Sequence, residues 1–152
     1  MNLQDELKVL KQRIAELEEQ EKRGREFPLE GDKYWFMSDS GGVIDTSFYR
    51  NYYIDNDRID IGNFFRTEEQ AELAVEKLKV EAELRKFSRP FEDNNNNYYI
   101  EFCLFDKTLS IDNNDCFQTQ GTIYFESTTI ANEAIDAIGA DRIKKYIFEV
   151  ED

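Results

Sequence analysis

Histidine is absent from this chain of 152 residues. That excludes Ser-His-Asp and Cys-His nucleophilic machinery and the common zinc sites built on imidazole. Cysteine is scarce. Cys103 and Cys116 stand apart, form no C-x-x-C pair and cannot build a structural zinc site unaided. The chain opens MNLQDELK, with two acids and no apolar leader run. Reduced thiols and a cytoplasmic location are therefore expected. No stretch approaches the roughly 18 apolar residues of a membrane span. Two prolines and seven glycines exclude collagen-like and Pro-rich linker classes. Neither G-x-x-x-x-G-K-[ST] nor G-x-G-x-x-G occurs, so those phosphate cradles are missing too.

Positive charge is also in short supply. Acids outnumber bases 33 to 19, for a net charge of -14. The imbalance is local. Residues 1–26 hold seven acids and six bases, whereas residues 27–152 hold 26 acids and 13 bases. A body with that excess repels phosphate backbones and anionic lipid. It is expected to bind neither nucleic acid nor membrane directly, and to favour a basic protein. The competing reading is that the acids only keep the protein soluble. Aromatic residues, by contrast, are plentiful at 14 %. Disordered chains are poor in them, so the body is expected to fold.

Leu3, Leu7, Leu10, Ile14 and Leu17 recur at alternating spacings of four and three. This heptad seam predicts a coiled-coil helix over residues 1–24. Beside the seam, Glu6 can face Lys11 of a second helix, and Arg13 can face Glu18. Both contacts have the right sign in a parallel pair. An antiparallel pair can match Glu6 with Arg13 and Lys11 with Glu18, so direction stays open. A helix this short is marginal alone and needs its seam covered. The expected cover is a second copy in a homodimer, the alternative being the chain's own body. Gly24 and Pro28 predict that the helix ends in a linker over residues 23–31.

The body reads as two copies of one unit, residues 33–89 and 97–152. Tyr34-Trp35-Phe36 and Tyr98-Tyr99-Ile100 each open an aromatic strand. Phe65 to Val75 parallels Phe125 to Ile135, with Phe, Ala and Ala in register and Thr67 matching Ser127. Thr67 and Ser127 are expected helix N-caps, Thr67 with Gln70 as a capping box. Turns are expected at 38–42 and at 112–115. A helix over 68–87 shows two apolar stripes. Ala71, Ala74, Val75, Leu78 and Ala82 form one; Leu73, Val80, Leu84 and Phe87 form the other. One should face its own sheet, and the other should pack on the second copy or on the coiled coil. A short helical turn over 140–146 and an apolar tail at Ile147-Phe148 close the chain. The expected class is α+β, an N-terminal coiled-coil helix followed by two tandem strand-strand-(strand)-helix repeats with antiparallel sheet.

No catalytic, cofactor or metal residue is singled out. Asp55 to Gly62 superficially resembles a calcium loop. Its third acid falls at position six, its glycine at position eight, and Arg66 stands where a bidentate acid is required. A solvated turn before a strand is the expectation there. Thirty-three acids offer many carboxylate pairs, but no spacing selects one for hydrolysis. The aromatic runs at 34–36, Tyr49, 52–53 and 98–99 neighbour acids rather than bases. They are read as core or protein interface and not as base-stacking platforms. If the acidity is functional, Asp55, Asp57, Asp60, Glu68, Glu69, Glu72, Asp112 and Asp115 are the candidate contacts.

Several segments together resemble a known group. They are the Lys33-Tyr34-Trp35 opening, Gly62-Asn63-Phe64-Phe65-Arg66-Thr67-Glu68-Glu69-Gln70-Ala71, the runs 76–80 and 84–87, and the close at 123–127 and 138–146. The pattern resembles small uncharacterised proteins of temperate phages and prophages of Gram-positive bacteria, over most of residues 33–152. The resemblance carries no catalytic residues. It implies a phage accessory protein acting in the host cytoplasm. By analogy with small acidic phage proteins, it implies an inhibitor of a host defence nucleic-acid enzyme, such as an anti-CRISPR protein, some of which imitate the charge of DNA. Two other readings are a virion assembly or scaffold component and, last, a carboxylate enzyme using a divalent metal.

Overall fold

The structure, a computed structural model, describes residues 2–25, 27–93 and 95–151. Glu26 of the expected linker and Asn94 of the asparagine run lie outside the described residues. Among those described, the chain forms α1 (Leu3–Arg25), β1 (Lys33–Met37), β2 (Val43–Ser47), α2 (Tyr53–Asp60), α3 (Glu68–Arg85), β3 (Asn97–Cys103), β4 (Thr108–Asn114), α4 (Thr128–Ile138) and α5 (Ala140–Tyr146). The class is α+β, with two separate two-stranded antiparallel sheets. The chain divides into two compact units, residues 1–71 and 72–152.

In the first unit, α1 starts at Asn2. Its side-chain oxygen accepts hydrogen bonds from the backbone N–H groups of Gln4 and Asp5, each at 3.0 Å, satisfying donors left open by the first turn. The helix passes through Gly24 to Arg25, so Gly24 does not stop it as expected. β1 and β2 form a hairpin in which Trp35 lies opposite Asp45. The hairpin turns at 38–42 as predicted, with Ser38 Oγ accepting from Gly42 N–H at 3.1 Å. Phe65 adds a two-bond bridge to Trp35. Asn63 behaves as a further strand partner. Its amide accepts from Met37 N–H at 2.7 Å and donates to Met37 C=O at 2.9 Å.

The first core is aromatic. Tyr34 is fully buried and Phe48 nearly so. Phe64 stacks on Tyr34 with ring centroids 3.9 Å apart, while Phe48 meets Phe64 edge-on. Such contacts add to the burial of the rings themselves. Between β2 and Phe64 the sequence suggested only a solvated turn. The structure instead holds α2, and the chain leaves it through Gly62 at φ 76°, where glycine carries no steric cost.

The second unit takes α3 from Glu72 onward. Val80 and Leu84 are buried with Phe125, Ala131, Ala134, Ile138 and Ile143, and Phe87 packs against them. These belong to the second of the two apolar stripes of α3, although Leu73 of that stripe is exposed. The division between the compact units falls at Ala71/Glu72, and Val80 and Leu84 of α3 share a cluster with residues of α4 and α5.

The β3–β4 turn is not at 112–115. Those four residues fall within or just after β4, and the chain turns at Leu104–Lys107. There Asp106 accepts from Thr108 N–H at 3.2 Å and Thr108 Oγ1–H at 2.6 Å, and Lys107 adopts φ 61°. Tyr98 bridges Phe125 as Trp35 bridges Phe65, and in sequence each bridge is followed by a helix, α3 after Phe65 and α4 after Phe125. Ser127 caps α4 by accepting from Ile130 N–H at 3.1 Å, and Thr67 accepts from Gln70 N–H at 3.2 Å. α5 and the apolar tail are as expected, with Ile143 buried and Ile147 and Phe148 packed on the core.

Candidate protein-binding surface

The eight candidate acids separate into one buried group and seven exposed ones. Asp55 is 1 % exposed and cannot offer its carboxylate to a partner. The Tyr34 hydroxyl donates to one of its oxygens. The Tyr49 backbone N–H donates to the other at 2.9 Å. Arg58 Nη1 lies 2.9 Å from the Tyr34 hydroxyl and 3.5 Å from Asp55 Oδ1, and its guanidinium lies over the Phe36 ring at 3.5 Å from the centroid. A buried carboxylate is tolerated because three donors replace its water. Burial first, and then donation to Asp55, push the Tyr34 phenol above its ordinary value; Arg58 opposes this in part. The network fastens α2 to β1 and to the chain entering the helix. Its place is in the fold rather than at the surface.

Asp57, Asp60, Glu68, Glu69, Glu72, Asp112 and Asp115 are all exposed. Among the described residues, none of these seven forms an ion pair with the chain's own cations. They do not converge on one point. Asp57 and Asp60 lie on α2. Glu68, Glu69 and Glu72 lie on the first turns of α3, where the first two also complement the positive end of the helix. Asp112 and Asp115 lie in and just beyond β4.

Tyrosines read from the sequence as core or protein interface lie before and at the start of α2. Tyr49, Tyr52 and Tyr53 are exposed, at 53, 45 and 69 %. The Tyr52 and Tyr53 rings lie 5.8 Å apart. Tyr53, Asp57 and Asp60 occupy helix positions i, i+4 and i+7, and so share one face. That spacing was available in the sequence, but only after α2 is known to be helical.

The α1 seam is open along its length. Leu3, Leu7, Leu10, Ile14 and Leu17 are 48 to 84 % exposed, so the chain's own body does not cover them. In the second unit a cavity of about 190 Å³ is lined chiefly by Leu84, Ile100, Ile123, Phe125 and Phe148. Asp115 pushes the Cys116 thiol up, which disfavours a reactive thiolate. Among the described residues no group of three metal-ligating side chains occurs, and no helix is long and apolar enough to cross a membrane. Of the Asp55–Gly62 segment, which resembled a calcium loop, Asp55 to Asp60 are helical and Asp55 is turned inward. Comparison with known protein families, with curated proteins and with solved structures returns no match.

Proposed function

We propose that this chain is an acidic binding protein that acts by protein–protein contact on a basic partner. One observation carries the reading. Among the described residues, seven surface carboxylates have no cation of the chain's own to neutralise them. An unpaired carboxylate on a surface repels its own kind and attracts Lys- and Arg-rich grooves. Grooves of that sign are what nucleic-acid enzymes present to phosphate. The likeness to phage proteins, which rests on sequence alone, makes the partner a host defence nuclease. The chain then acts in the host cytoplasm as a DNA-mimicking inhibitor of the anti-CRISPR kind.

In the same reading α1 is a coiled-coil stem. Its open seam and the Glu6–Lys11 and Arg13–Glu18 pairings support a homodimer that presents two acidic bodies. The shared hairpin, bridge and helix order supports two tandem copies of one unit.

The test uses purified chain with a purified CRISPR effector nuclease from a Gram-positive host, scoring DNA cleavage at low and high salt. Inhibition should be strong at low salt and weak at high salt. It should fall when Asp57, Asp60, Glu68 and Glu69 are replaced by Asn or Gln. Unimpeded cleavage across several such enzymes would refute the inhibitor reading. The exposed seam also suits a virion assembly component. Mass spectrometry of purified particles separates the two, since an accessory inhibitor is absent from them.

A further inference from the structure

We infer that the outer face of α2, formed by Tyr53, Asp57 and Asp60 with the ring of the preceding Tyr52 beside it, is a docking surface for an arginine-rich protein segment. The inference rests on the acidic-partner reading above and names its surface and its chemistry. Three observations lead to it. First, Tyr52 and Tyr53 are large rings left in water, and tyrosine is the kind of residue that anchors protein contacts. Second, the two carboxylates that share the Tyr53 face are exposed and, among the described residues, free of ion pairs, so a cation arriving there meets two acceptors beside one ring. Third, the basic residue within α2 is committed elsewhere. Arg58 is turned inward onto Phe36, Tyr34 and Asp55. Among the described residues none of the chain's cations lies over Tyr52 or Tyr53.

The chain shows elsewhere what its rings accept. Both kinds of cation occur: Arg58 covers Phe36 and Arg66 lies 4.7 Å from the Phe27 ring centroid, while Lys33 lies 5.0 Å from that of Trp35 and Lys145 5.3 Å from that of Tyr146. Guanidinium suits the α2 face better than ammonium. Its plane can lie on a ring while its edge donates in a fork to a carboxylate. The buried Asp55 bonds fix the helix under this face, so the rings and acids are held in place before a partner arrives.

The test measures anisotropy of fluorescein-labelled nona-arginine and nona-lysine peptides titrated with the full chain at low salt. Nona-arginine should bind about two- to fivefold tighter, the range one exposed ring–cation contact supplies. Tyr53→Ala should erase that preference, and Tyr53→Phe should keep it. Asp57→Asn with Asp60→Asn should weaken both peptides, whereas Asp112→Asn with Asp115→Asn should leave the preference intact. Trp35 fluorescence in each variant reports that the first unit is still folded. Equal binding of the two peptides, lost only when acids are neutralised anywhere, overturns the α2 surface and leaves the acidic reading standing. Binding of neither peptide overturns both.

Discussion

Replacing Asp55 by Ala should unfold the first unit far more readily than replacing any exposed acid. The substitution takes the acceptor from two donors at once, the Tyr34 hydroxyl and the Tyr49 backbone N–H. It also leaves Arg58, whose side chain is 22 % exposed, without its carboxylate. Stranding one member of a buried pair costs about 3–5 kcal/mol. The partial exposure of Arg58 lets water recover some of that, so about 3 kcal/mol is expected. Tyr34→Phe removes one hydrogen bond to a charged group and should cost about 2 kcal/mol. The double variant should cost less than the two added together, by about 1 kcal/mol or more, because both act on the same bond. Urea unfolding followed by fluorescence is well placed for this. Trp35 is the chain's single tryptophan and lies in β1, next to Tyr34. Loss of less than about 1 kcal/mol in Asp55→Ala would refute the reasoning, since that is the scale of an exposed pair.

Four further outcomes are expected. Asp substitutions at Leu10 and Ile14 should halve the solution mass by light scattering if the seam pairs two chains; an unchanged mass removes the coiled-coil stem. Asn97, fully buried, accepts from Glu92 N–H and Arg89 and donates to the carbonyls of Glu92, Asn95 and Asn114, so Asn97→Ala should cost about 2–3 kcal/mol of stability, seen as a lower thermal midpoint. The Arg142 guanidinium beside Glu83 holds that carboxyl below its ordinary value through two bonds of 3.1 Å. A lowered folded value contributes stability above the unfolded value of 4.5 that is lost as pH falls through the folded one, so Glu83→Gln should flatten the acid limb of a stability–pH profile. Tyr34 works with the opposite sign. Its raised folded value contributes stability that is complete below 10.0 and lost as pH climbs past the folded value, so Tyr34→Phe should make the alkaline decline shallower.

Much of the fold follows from short-range chemistry and was therefore readable. Thr67 and Ser127 bond donors three residues away, and the Ser38–Gly42 turn is closed by its own residues. What failed depends on distant partners. Asp112 to Asp115 has the composition of a turn, yet Asn114 is drawn into β4 by pairing with Asn97, whose amide also holds its carbonyl at 2.9 Å. The true turn, Leu104 to Lys107, contains neither glycine nor asparagine, and Asp106 closes it through Thr108. α2 is eight residues long, too short to announce itself by periodicity, and its buried anchor bonds a tyrosine 21 residues earlier.

The acids show the same limit on the scale of one helical turn. Composition records Asp55 and Asp57 as equivalent negative charges. Two residues apart on an α-helix, they point to nearly opposite sides. One is sealed under Tyr34 and the other stands in water beside Tyr53. A charge count predicts that a basic partner is attracted, but not where it settles. The position comes from the direction of α2, and that direction is set by the acid that cannot touch the partner. If Asp55→Asn shifts α2 without unfolding the unit, the arginine preference should fall while the net attraction to nona-lysine barely changes. Attraction depends on total charge at a distance, whereas a ring and a carboxylate must meet one guanidinium together.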